Sequence, residues 1–279
     1  MILNERCHIK DISNHYNELD ELYRKFWGNH LHHGLWSSRK LSKEEASHKL
    51  ALYVLHKLGP IQNKNLIDVG CGYGTSARLA CQKGAKEVIG YTVSQNQYKY
   101  AIDNKQKMNT TIHLQDWLNN DLRSSSLDGG YSIECFSHIK DKDLYFKEIA
   151  RVLKPGSKFV MCSWLSCEQP SNSAQKLLLL PICKEGRLPS LYSQSEITSC
   201  MQKHGLVLEE FTDLSHLVWR TWWESLKSVG LGLFDKSTRN YFINKKNKEK
   251  TFVFSIIRIL VAYKIGSFKY GLFVLKRAE

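Results

Sequence analysis

Short apolar runs alternate with amphipathic segments along most of the 279 residues of this chain. The runs are rich in aliphatic and aromatic residues and are bounded by turn residues, a pattern typical of buried strands. They lie at 66–69, 88–91, 111–115, 130–133, 158–164, 206–211 and 270–275. Between them apolar residues recur at helical spacing, and a capping box at Ser42 and Glu45 marks the start of one helix. Strands that alternate with helices predict a doubly wound α/β fold with a mostly parallel sheet.

The run at 66–69 leads into a glycine-rich turn and then into a helix. Gly70, Gly72 and Gly74 let the backbone turn sharply and leave room for a ligand beside it. The spacing differs from the dinucleotide pattern G-x-G-x-x-G, because Thr75 stands where the third glycine would be. Asp68, two residues before the first glycine, would repel a phosphate but attract a cationic amino-acid group. The loop therefore predicts a nucleotide-like ligand that carries such a group.

Composition and charge narrow the class of protein further. The length suits one large domain, or a domain with a cap. The eight cysteines form no C-x-x-C pair, which indicates reduced thiols in a cytoplasmic protein and not a zinc or disulfide framework. We expect no signal or transit peptide, because acidic residues occur early in the chain. The net charge of +13 is concentrated after residue 235, where eleven Lys or Arg stand against two acidic residues.

Four motifs resemble those of class I S-adenosylmethionine (SAM)-dependent methyltransferases, and in particular their γ-tocopherol-methyltransferase-like small-molecule subfamily. Segment 66–75 resembles the D-x-G-x-G-x-G loop of the class, and segment 27–36 the W-G-x-H-x-H-H-G-x-W motif of the subfamily. Segments 134–138 and 151–156 resemble its E-S-x-x-H and R-V-L-x-P-G-G motifs. The resemblance covers about residues 14–276. It implies a seven-stranded sheet, with SAM as the cofactor and S-adenosylhomocysteine (SAH) as its product.

The resemblance also implies how the chain is organised. We expect an N-terminal helical lid at 1–40, a SAM-binding core at 41–165, and an acceptor-binding cap with closing strands at 166–279. The last third of the chain is less stereotyped. Residues 177–190 suggest an excursion over the pocket, a tryptophan-rich helix lies near 219–223, and 270–275 is expected to be the strand that closes the sheet.

The resemblance assigns one set of residues to the cofactor. The glycine loop would hold the amino-acid part of SAM, the residues after the second strand the ribose, and those after the third strand the adenine. These residues are Asp68, Gly70, Cys71, Gly72, Gly74, Thr92, Ser94, Gln97, Asp116 and Trp117. Thr92 departs from the broad class, where an acid binds the ribose, but fits the subfamily's G-x-T-x-S-x-x-Q variant. Two structural interpretations stay open: Ser94 and Gln97 form a capping box, and Asp116 is a plain turn acid.

A second set of residues is expected to bind the acceptor or to take part in the reaction. His138 follows the fourth strand and is our candidate general base, with a pocket-lining or SAM-contacting role as the alternative. Glu134 is expected to orient His138 or to contact SAM. Amphipathic rings of the lid and of the tryptophan-rich helix are expected to line the acceptor pocket. They are Tyr16, Trp27, His33, Trp36 and Trp222, and His33 is also a weaker candidate base.

Other functions are weighed against this interpretation. His30, His32 and His33 have no carboxylate or cysteine at ligand spacing, so we predict no metal site. The N-P-P-Y motif of nucleic-acid amino-methylases and the Pro-Cys pair of cytosine C5-methylases are absent, so we expect no nucleic-acid substrate. A SAM-bound cyclase on the same fold stays open. We predict a cytoplasmic methyltransferase of secondary metabolism that modifies a carbon, nitrogen or oxygen of a small aromatic or isoprenoid acceptor.

The basic C-terminal segment adds a candidate membrane partner. Lys245, Lys246, Lys248 and Lys250 precede an apolar stretch at 251–263 that is too short to span a bilayer. Five apolar residues of this stretch share one helical face: Phe252, Ile256, Ile259, Leu260 and Tyr263. That face packs either on the core or on an anionic membrane surface, and a solvated lysine loop over a buried helix is the alternative.

Overall fold

A seven-stranded sheet forms the centre of the molecule. The computed structural model describes residues 1–4, 7–20, 23–24, 28–105, 107–232 and 252–279. Its strands are β1 (Ile2–Leu3), β2 (Asn65–Val69), β3 (Glu87–Thr92), β4 (Thr110–Leu114), β5 (Leu127–Ile133), β6 (Leu153–Ser166), β7 (Ser190–Leu191), β8 (Leu206–Asp213) and β9 (Phe268–Arg277). The sheet has the order β4-β3-β2-β5-β6-β9-β8, and only β9 runs antiparallel to its neighbours. The predicted doubly wound, mostly parallel sheet is confirmed.

Helices cover both faces of this sheet. They are α1 (Ile9–Glu18), α2 (Lys43–Leu58), α3 (Thr75–Gln82), α4 (Gln95–Asp103), α5 (Lys142–Val152), α6 (Leu180–Glu185), α7 (Gln194–Gln202), α8 (Ser215–Val218), α9 (Arg220–Gly232) and α10 (Phe252–Lys264). Successive residues of β6 enter two apolar clusters: Phe159 and Met161 join the one that contains α5, and Val160 and Cys162 the one that contains α2. Because side chains alternate between the faces of a strand, both faces of the sheet are buried.

The helix caps agree with the sequence at α2 and differ at α4. Ser42 and Glu45 form the predicted reciprocal capping box. At α4 only half of the predicted box is present, because Ser94 accepts from the Gln97 N–H while the Gln97 side chain bonds elsewhere. The Thr92 hydroxyl donates to Gln97 Oε1 at 2.9 Å and accepts from the Ser94 N–H at 3.3 Å. The Thr92 hydroxyl thus accepts the hydrogen bond from the Ser94 N–H that the Gln97 side chain was predicted to accept.

The last strand, β9, completes the sheet from an inner position and not from its edge. It pairs with β6 on one side and with β8 on the other. Its apolar run is unbroken, and Leu272, Phe273 and Leu275 are fully buried. An unbroken apolar run suits a strand that is covered on both faces. The edge strand on this side of the sheet is β8, which carries the charged residues Glu209 and Glu210, as exposed edges commonly do.

The excursion expected at 177–190 is mostly helical. A short helix, Asn172–Ala174, continues through a π-helical turn, Gln175–Leu179, into α6. Pro181 lies in the first turn of α6, where its missing N–H is tolerated. Farther along, β7 pairs with β1, which joins the predicted lid segment to this part of the chain.

The C-terminal helix α10 packs on the core through part of its predicted face. Ile256 and Ile259 are buried, so the core interpretation holds for them. On another side of α10, Ile257 and Val261 are 46% and 42% exposed, and Ile265, just after the helix, is 58% exposed. The four predicted membrane-contacting lysines lie outside the described residues. Among the helices that the structure describes, none is long and apolar enough to cross a membrane.

Candidate active site

Two cavities share a wall at the carboxyl ends of the parallel strands. We call the first, of about 110 Å³, the glycine-loop cavity; residues lining it include Gly70, Gly72, Thr92, Gln97, Asp116, Trp117, Glu134 and His138. Next to it is a space of about 50 Å³, whose lining residues include Asp68 and Cys71. The second, of about 60 Å³, we call the histidine cavity; residues lining it include His15, Tyr16, Tyr23, His32, His33, Trp164, Thr221 and Trp222. Tyr16, Leu31, Glu134 and His138 line both cavities.

Most residues predicted for the cofactor line the glycine-loop cavity or the space next to it, and two of them, Gly74 and Ser94, line neither. Gly74 begins α3 with a φ of 67°, and a Cβ there would point toward Ala101 at 3.3 Å. Ser94 is fully buried, caps α4 and donates a hydrogen bond to Asn17 Oδ1 at 2.7 Å. Gly74 and Ser94 thus shape the loops, and Ser94 also ties the lid helix α1 to β3.

The glycine loop leaves a space that a side chain would fill. Gly70 and Gly72 have φ values of 78° and 53°, in the left-handed region that favours glycine. A Cβ at Gly70 would lie 2.5 Å from Sγ of Cys135. A Cβ at Gly72 would meet nothing nearer than Gln97 Oε1, at 4.0 Å. Because Gly72 lines the glycine-loop cavity, that open space is the cavity itself.

Asp68 is a buried acid without a well-aligned partner. It is 2% exposed, and among the described residues its Oδ2 atom meets no hydrogen-bond donor. Burial raises the pKa of Asp68 to about 7, although the nearby phenol of Tyr131 offsets part of this shift. A buried carboxyl with a free oxygen beside a glycine loop fits the cationic amino group of SAM, which would supply the missing donor.

Asp116 and Trp117 follow β4 and line the cavity. Asp116 Oδ1 accepts from the Leu118 N–H at 3.0 Å, so the turn interpretation is correct as far as this oxygen is concerned. Burial raises the pKa of Asp116. Trp117 is 2% exposed and lies edge-on to Tyr91, with ring centroids 5.5 Å apart. One face of this site is therefore a fixed aromatic ring next to a carboxyl, which suits an adenine.

The carboxylate of Glu134 receives four hydrogen bonds. Its Oε1 atom accepts from the His33 backbone N–H at 2.7 Å, from His33 Nδ1 at 2.8 Å and from the Tyr270 hydroxyl at 2.8 Å. Its Oε2 atom accepts from Trp164 Nε1 at 3.1 Å. Burial alone would raise the pKa of Glu134, but the hydrogen bonds that it accepts from the ring and the backbone of His33 lower it. Glu134 is therefore an ionised carboxylate at neutral pH.

The backbone at Glu134 is left-handed, with a φ of 65°. This conformation is unfavourable for a residue other than glycine and often marks a functional site. It turns the side chain toward the lid and the last strands. Contrary to our expectation, the structure does not have Glu134 orienting His138, because the four hydrogen bonds of Glu134 are made with other groups. Its predicted contact with SAM stays a prediction.

His138 is instead paired with Tyr16. The Tyr16 hydroxyl lies 2.9 Å from His138 Nε2, and His138 Nδ1 lies 3.3 Å from the backbone oxygen of Arg187. Since that oxygen can only accept, Nδ1 carries the proton and Nε2 accepts from Tyr16. Burial lowers the pKa of His138 to about 4 and raises that of Tyr16. His138 is thus a neutral imidazole with its lone pair toward the tyrosine of the lid helix.

The other residues predicted for the acceptor fall into three groups. Tyr16, His33 and Trp222 line the histidine cavity. Trp36 lines neither cavity, because its ring N–H donates to the Thr221 hydroxyl at 2.9 Å and the Arg220 guanidinium covers its ring. Trp36 therefore holds the lid segment on α9. Trp27 lies outside the described residues.

Sequence reasoning missed the residues that come from β6 and β9. Trp164 lines the histidine cavity and donates to Glu134, and Tyr270 donates to the same carboxylate. One signal was present for Trp164: it lies near the carboxyl end of a predicted strand, where ligands of such folds gather. Tyr270 is the first residue of a predicted strand, but nothing in the sequence marked it as part of the site. Among the described residues, no group of three or more His, Cys, Asp or Glu is placed to hold a metal ion.

The seven-stranded doubly wound sheet, the glycine loop with its buried acid and the motifs around them define a class I SAM-dependent methyltransferase, and SAM is its cofactor. More particularly, the chain belongs to the family described as mycolic acid cyclopropane synthetase, which it matches over residues 4–231.

Known proteins agree with this assignment. The chain is 30% identical over 236 residues to the chloroplastic tocopherol O-methyltransferase of Arabidopsis thaliana, covering 76% of this chain and 67% of that protein. Among solved structures, a cyclopropane synthase from Mycobacterium tuberculosis superposes with a TM-score of 0.85 at 20% identity, covering 98% of this chain and 100% of the other. A [4+2]-cyclase superposes with a TM-score of 0.79 at 17% identity, covering 99% and 98%. The two structural likenesses concern the fold.

Replacing Gly72 with Val should abolish cofactor binding. The new side chain would occupy the glycine-loop cavity, so we expect SAH affinity to fall by about 100-fold or more, a steric exclusion on top of backbone strain. Isothermal titration calorimetry with SAH measures the loss. The matched control is Gly266→Val, because Gly266 has a φ of 73° and open space around it but lies away from both cavities. Equal SAH affinity of Gly72→Val and the wild type would show that the cofactor lies elsewhere.

Binding of SAH should weaken as the pH falls below about 7. Because burial raises the pKa of Asp68 to about 7, the carboxyl is increasingly protonated, and so uncharged, below that pH. Only the ionised form attracts the ammonium group of the ligand. Calorimetry from pH 6 to 8, in buffers with different heats of ionisation, should show proton release that Asp68→Asn removes. Asp103→Asn, an exposed change on α4, is the control, and a pH-independent wild-type affinity would contradict the assignment.

Proposed function

We propose that this methyltransferase acts on a small acceptor that carries no phosphate or other strong negative charge. The acceptor would be a phenol, an amine, an alcohol or an electron-rich carbon. The observation that carries the proposal is the shared wall of the two cavities. Because Tyr16, Glu134 and His138 line both, an acceptor in the histidine cavity faces the glycine-loop cavity directly.

The charges of the cavity walls support an uncharged acceptor. Among the described residues that line the two cavities, there is no lysine or arginine, although the whole chain has a net charge of +13. The ionised or ionisable acids are Asp68, Asp116 and Glu134. A phosphorylated acceptor would be buried beside carboxylates without a counter-ion, which is strongly unfavourable. The tryptophans and tyrosines offer apolar faces with hydrogen-bond donors at their edges.

Tyr16 and His138 are proposed to remove the acceptor's proton. When bound, SAM supplies an electrophilic methyl group. The chain's own contribution is to hold the acceptor in line with it and to exclude water, which accounts for much of the rate enhancement in such displacements. The acceptor's proton passes to the Tyr16 oxygen while the Tyr16 proton passes to His138 Nε2, so that His138 ends as the cation and Tyr16 is unchanged. The hydrogen bond from Nδ1 to the Arg187 carbonyl would stabilise that cation.

The product decides between methyl transfer and the alternative, a cyclase. The purified protein is incubated with SAM and a panel of prenylated phenols, indoles and terpenoid alcohols, together with the phosphate esters of the phenols and alcohols. We expect methylated product and SAH in equal amounts from unphosphorylated compounds only. A product isomeric with its substrate, formed without SAH, would instead favour the cyclase function that a protein of the same fold has. Methylation of the phosphate esters at equal rates would refute the proposed acceptor class.

Replacing His138 with Ala should lower turnover and spare the cofactor. We expect about a 100-fold loss of kcat, the usual contribution of a positioned base, with SAH affinity within a few-fold of the wild type. Tyr16→Phe should lower kcat by about tenfold, because the relay loses its first member. His216→Ala, an exposed histidine on α8, is the control. Steady-state kinetics and calorimetry measure both quantities, and unchanged turnover of His138→Ala would reduce His138 to a wall of the cavity.

The pH profile of the same reaction gives a second check. Burial lowers the pKa of His138 to about 4, so the imidazole is a free base throughout the neutral range. We expect this group to cause no loss of kcat between pH 8 and pH 6, and a loss only as the pH approaches 4. With saturating SAM, a kcat that falls tenfold between pH 7 and pH 6 would contradict His138 as the base in this environment.

We also propose that the C-terminal part of the chain contacts anionic lipid. The exposed Ile257 and Val261 are four residues apart on α10, a spacing that aligns side chains along one side of a helix, and the exposed Ile265 follows the end of the helix. The basic sequence that precedes α10 would add about 1 kcal/mol of attraction per lysine near such a surface. We expect sedimentation with phosphatidylglycerol vesicles at low salt, lost at high salt and in an Ile257→Ser/Val261→Ser double variant. Val207→Ser on β8 is the control, and no sedimentation at low salt contradicts the proposal.

A further inference from the structure

The ring of His33 is held between a carboxylate and an indole. His33 Nδ1 lies 2.8 Å from Glu134 Oε1, and His33 Nε2 lies 2.6 Å from Trp222 Nε1. An indole nitrogen has a hydrogen to donate and no lone pair to accept one. Nε2 must therefore be the acceptor and carry no proton, which leaves the single ring proton on Nδ1. In this arrangement His33 is neutral, and its contact with Glu134 is a hydrogen bond and not an ion pair.

The titratable groups around the ring are acids, phenols and histidines, with no lysine or arginine among the described residues. His33 and Trp222 are 2% and 5% exposed, so water does not screen their contact. The titratable groups that face the ring from the elements packed on it are Glu134, Tyr263 and Tyr270, with His32 next in the chain. Across the histidine cavity lie His15, Tyr16, Tyr23 and His138. Burial lowers the pKa of His32 and of His138, so both are neutral. Among the described residues, Glu134 thus keeps its negative charge without an adjacent cation.

This uncompensated charge lies at the wall that the two cavities share. A carboxylate at one nitrogen of an imidazole normally favours protonation of the other nitrogen. Protonated His33 would cancel the charge of Glu134 and place a cation beside the site. The cofactor brings a sulfonium cation, and SAH, its product, is a neutral thioether. A net negative wall therefore favours SAM over SAH, and a protonated His33 would remove that preference.

We infer that Trp222 is a positioning residue: its indole N–H fixes His33 in the neutral Nδ1–H tautomer, and this keeps the full negative charge of Glu134 available to the sulfonium of SAM. This role of Trp222 differs from the contact with the acceptor that the sequence predicted. The inference depends on SAM as the cofactor and not on the identity of the acceptor. The variant that tests it is Trp222→Phe, which keeps an aromatic ring in the core and removes only the donor.

The tautomer is measured directly by nuclear magnetic resonance of the full chain with ¹⁵N-labelled histidine. In the wild type we expect His33 to show the Nδ1–H form at pH 7. In Trp222→Phe, Nε2 is free to take a proton, and we expect the imidazolium form to appear as the pH falls to 6. Trp223→Phe, the neighbouring tryptophan that is 44% exposed, is the matched control and should behave as the wild type.

The second measurement is the ratio of the SAM and SAH dissociation constants from calorimetry. Both ligands carry the same amino group, so any titration of Asp68 cancels in the ratio. For Trp222→Phe we expect the preference for SAM over SAH to fall by about tenfold at pH 6 relative to the wild type, and to recover at pH 8. A merely structural role of Trp222 would weaken both ligands equally at both pH values.

Two results would overturn the inference. One is a wild-type His33 that carries its proton on Nε2, or on both nitrogens, at pH 7. The other is a Trp222→Phe protein in which the protonation of His33 and the SAM-to-SAH ratio both stay as in the wild type. Neither measurement uses an acceptor, so failure to find a methylated product would leave this inference untouched and would bear only on the proposed function.

Discussion

A single buried carboxylate, that of Glu134, holds together parts of the chain that are far apart in sequence. Its hydrogen-bond donors come from the lid segment at His33, from β6 at Trp164 and from β9 at Tyr270. Burying a charge is unfavourable unless hydrogen bonds replace its hydration. The left-handed backbone of Glu134 is a further local penalty. These hydrogen bonds offset part of both costs, and they couple the segment at His33 to two strands of the sheet through one side chain.

Burial changes the acidity of two groups in this site in opposite directions. It raises the pKa of Asp68 to about 7 and lowers that of His138 to about 4, since desolvation disfavours whichever form is charged. Helix α1 contributes to the burial of His138 through Tyr16, and it is tied to the loop after β3 by Ser13 and Asn17. Admission of water between α1 and His138 would move the pKa of His138 back toward its ordinary range. The packing of α1 thus affects the protonation state of His138 as well as the shape of the cavity.

Local sequence patterns were sufficient for the fold and for one side of the site. The strand, the glycines and the acid at 66–74 are contiguous, so their spacing alone predicts where a nucleotide-like ligand lies. Gly70, Gly72 and Asp68 were predicted in this way, and the structure brings them to one cavity. The position of β9 was missed because hydrophobic pattern reports that a strand is buried on both faces, but not which strands are its neighbours.

The other side of the site depends on contacts that no local pattern contains. His33 and Glu134 are 101 residues apart, and Trp222 lies 189 residues from His33. Trp36 and Trp222 look alike in sequence, as aromatic residues expected near the acceptor. One of them donates to Thr221 and packs under Arg220, while the other donates to His33. Which tryptophan serves the site is decided by how α9 packs against the lid, which is a property of the tertiary structure.

The net charge of the chain describes its surface and not its site. A value of +13 suggests acidic partners, yet the described walls of both cavities carry acids, neutral histidines and phenols, and no lysine or arginine. At about 0.15 M salt, exposed charges are screened within about 8 Å, whereas buried charges are screened far less. The basic surface therefore attracts an anionic partner as it approaches the protein. Inside the site, the charged groups nearest to a bound sulfonium cation are the carboxylates.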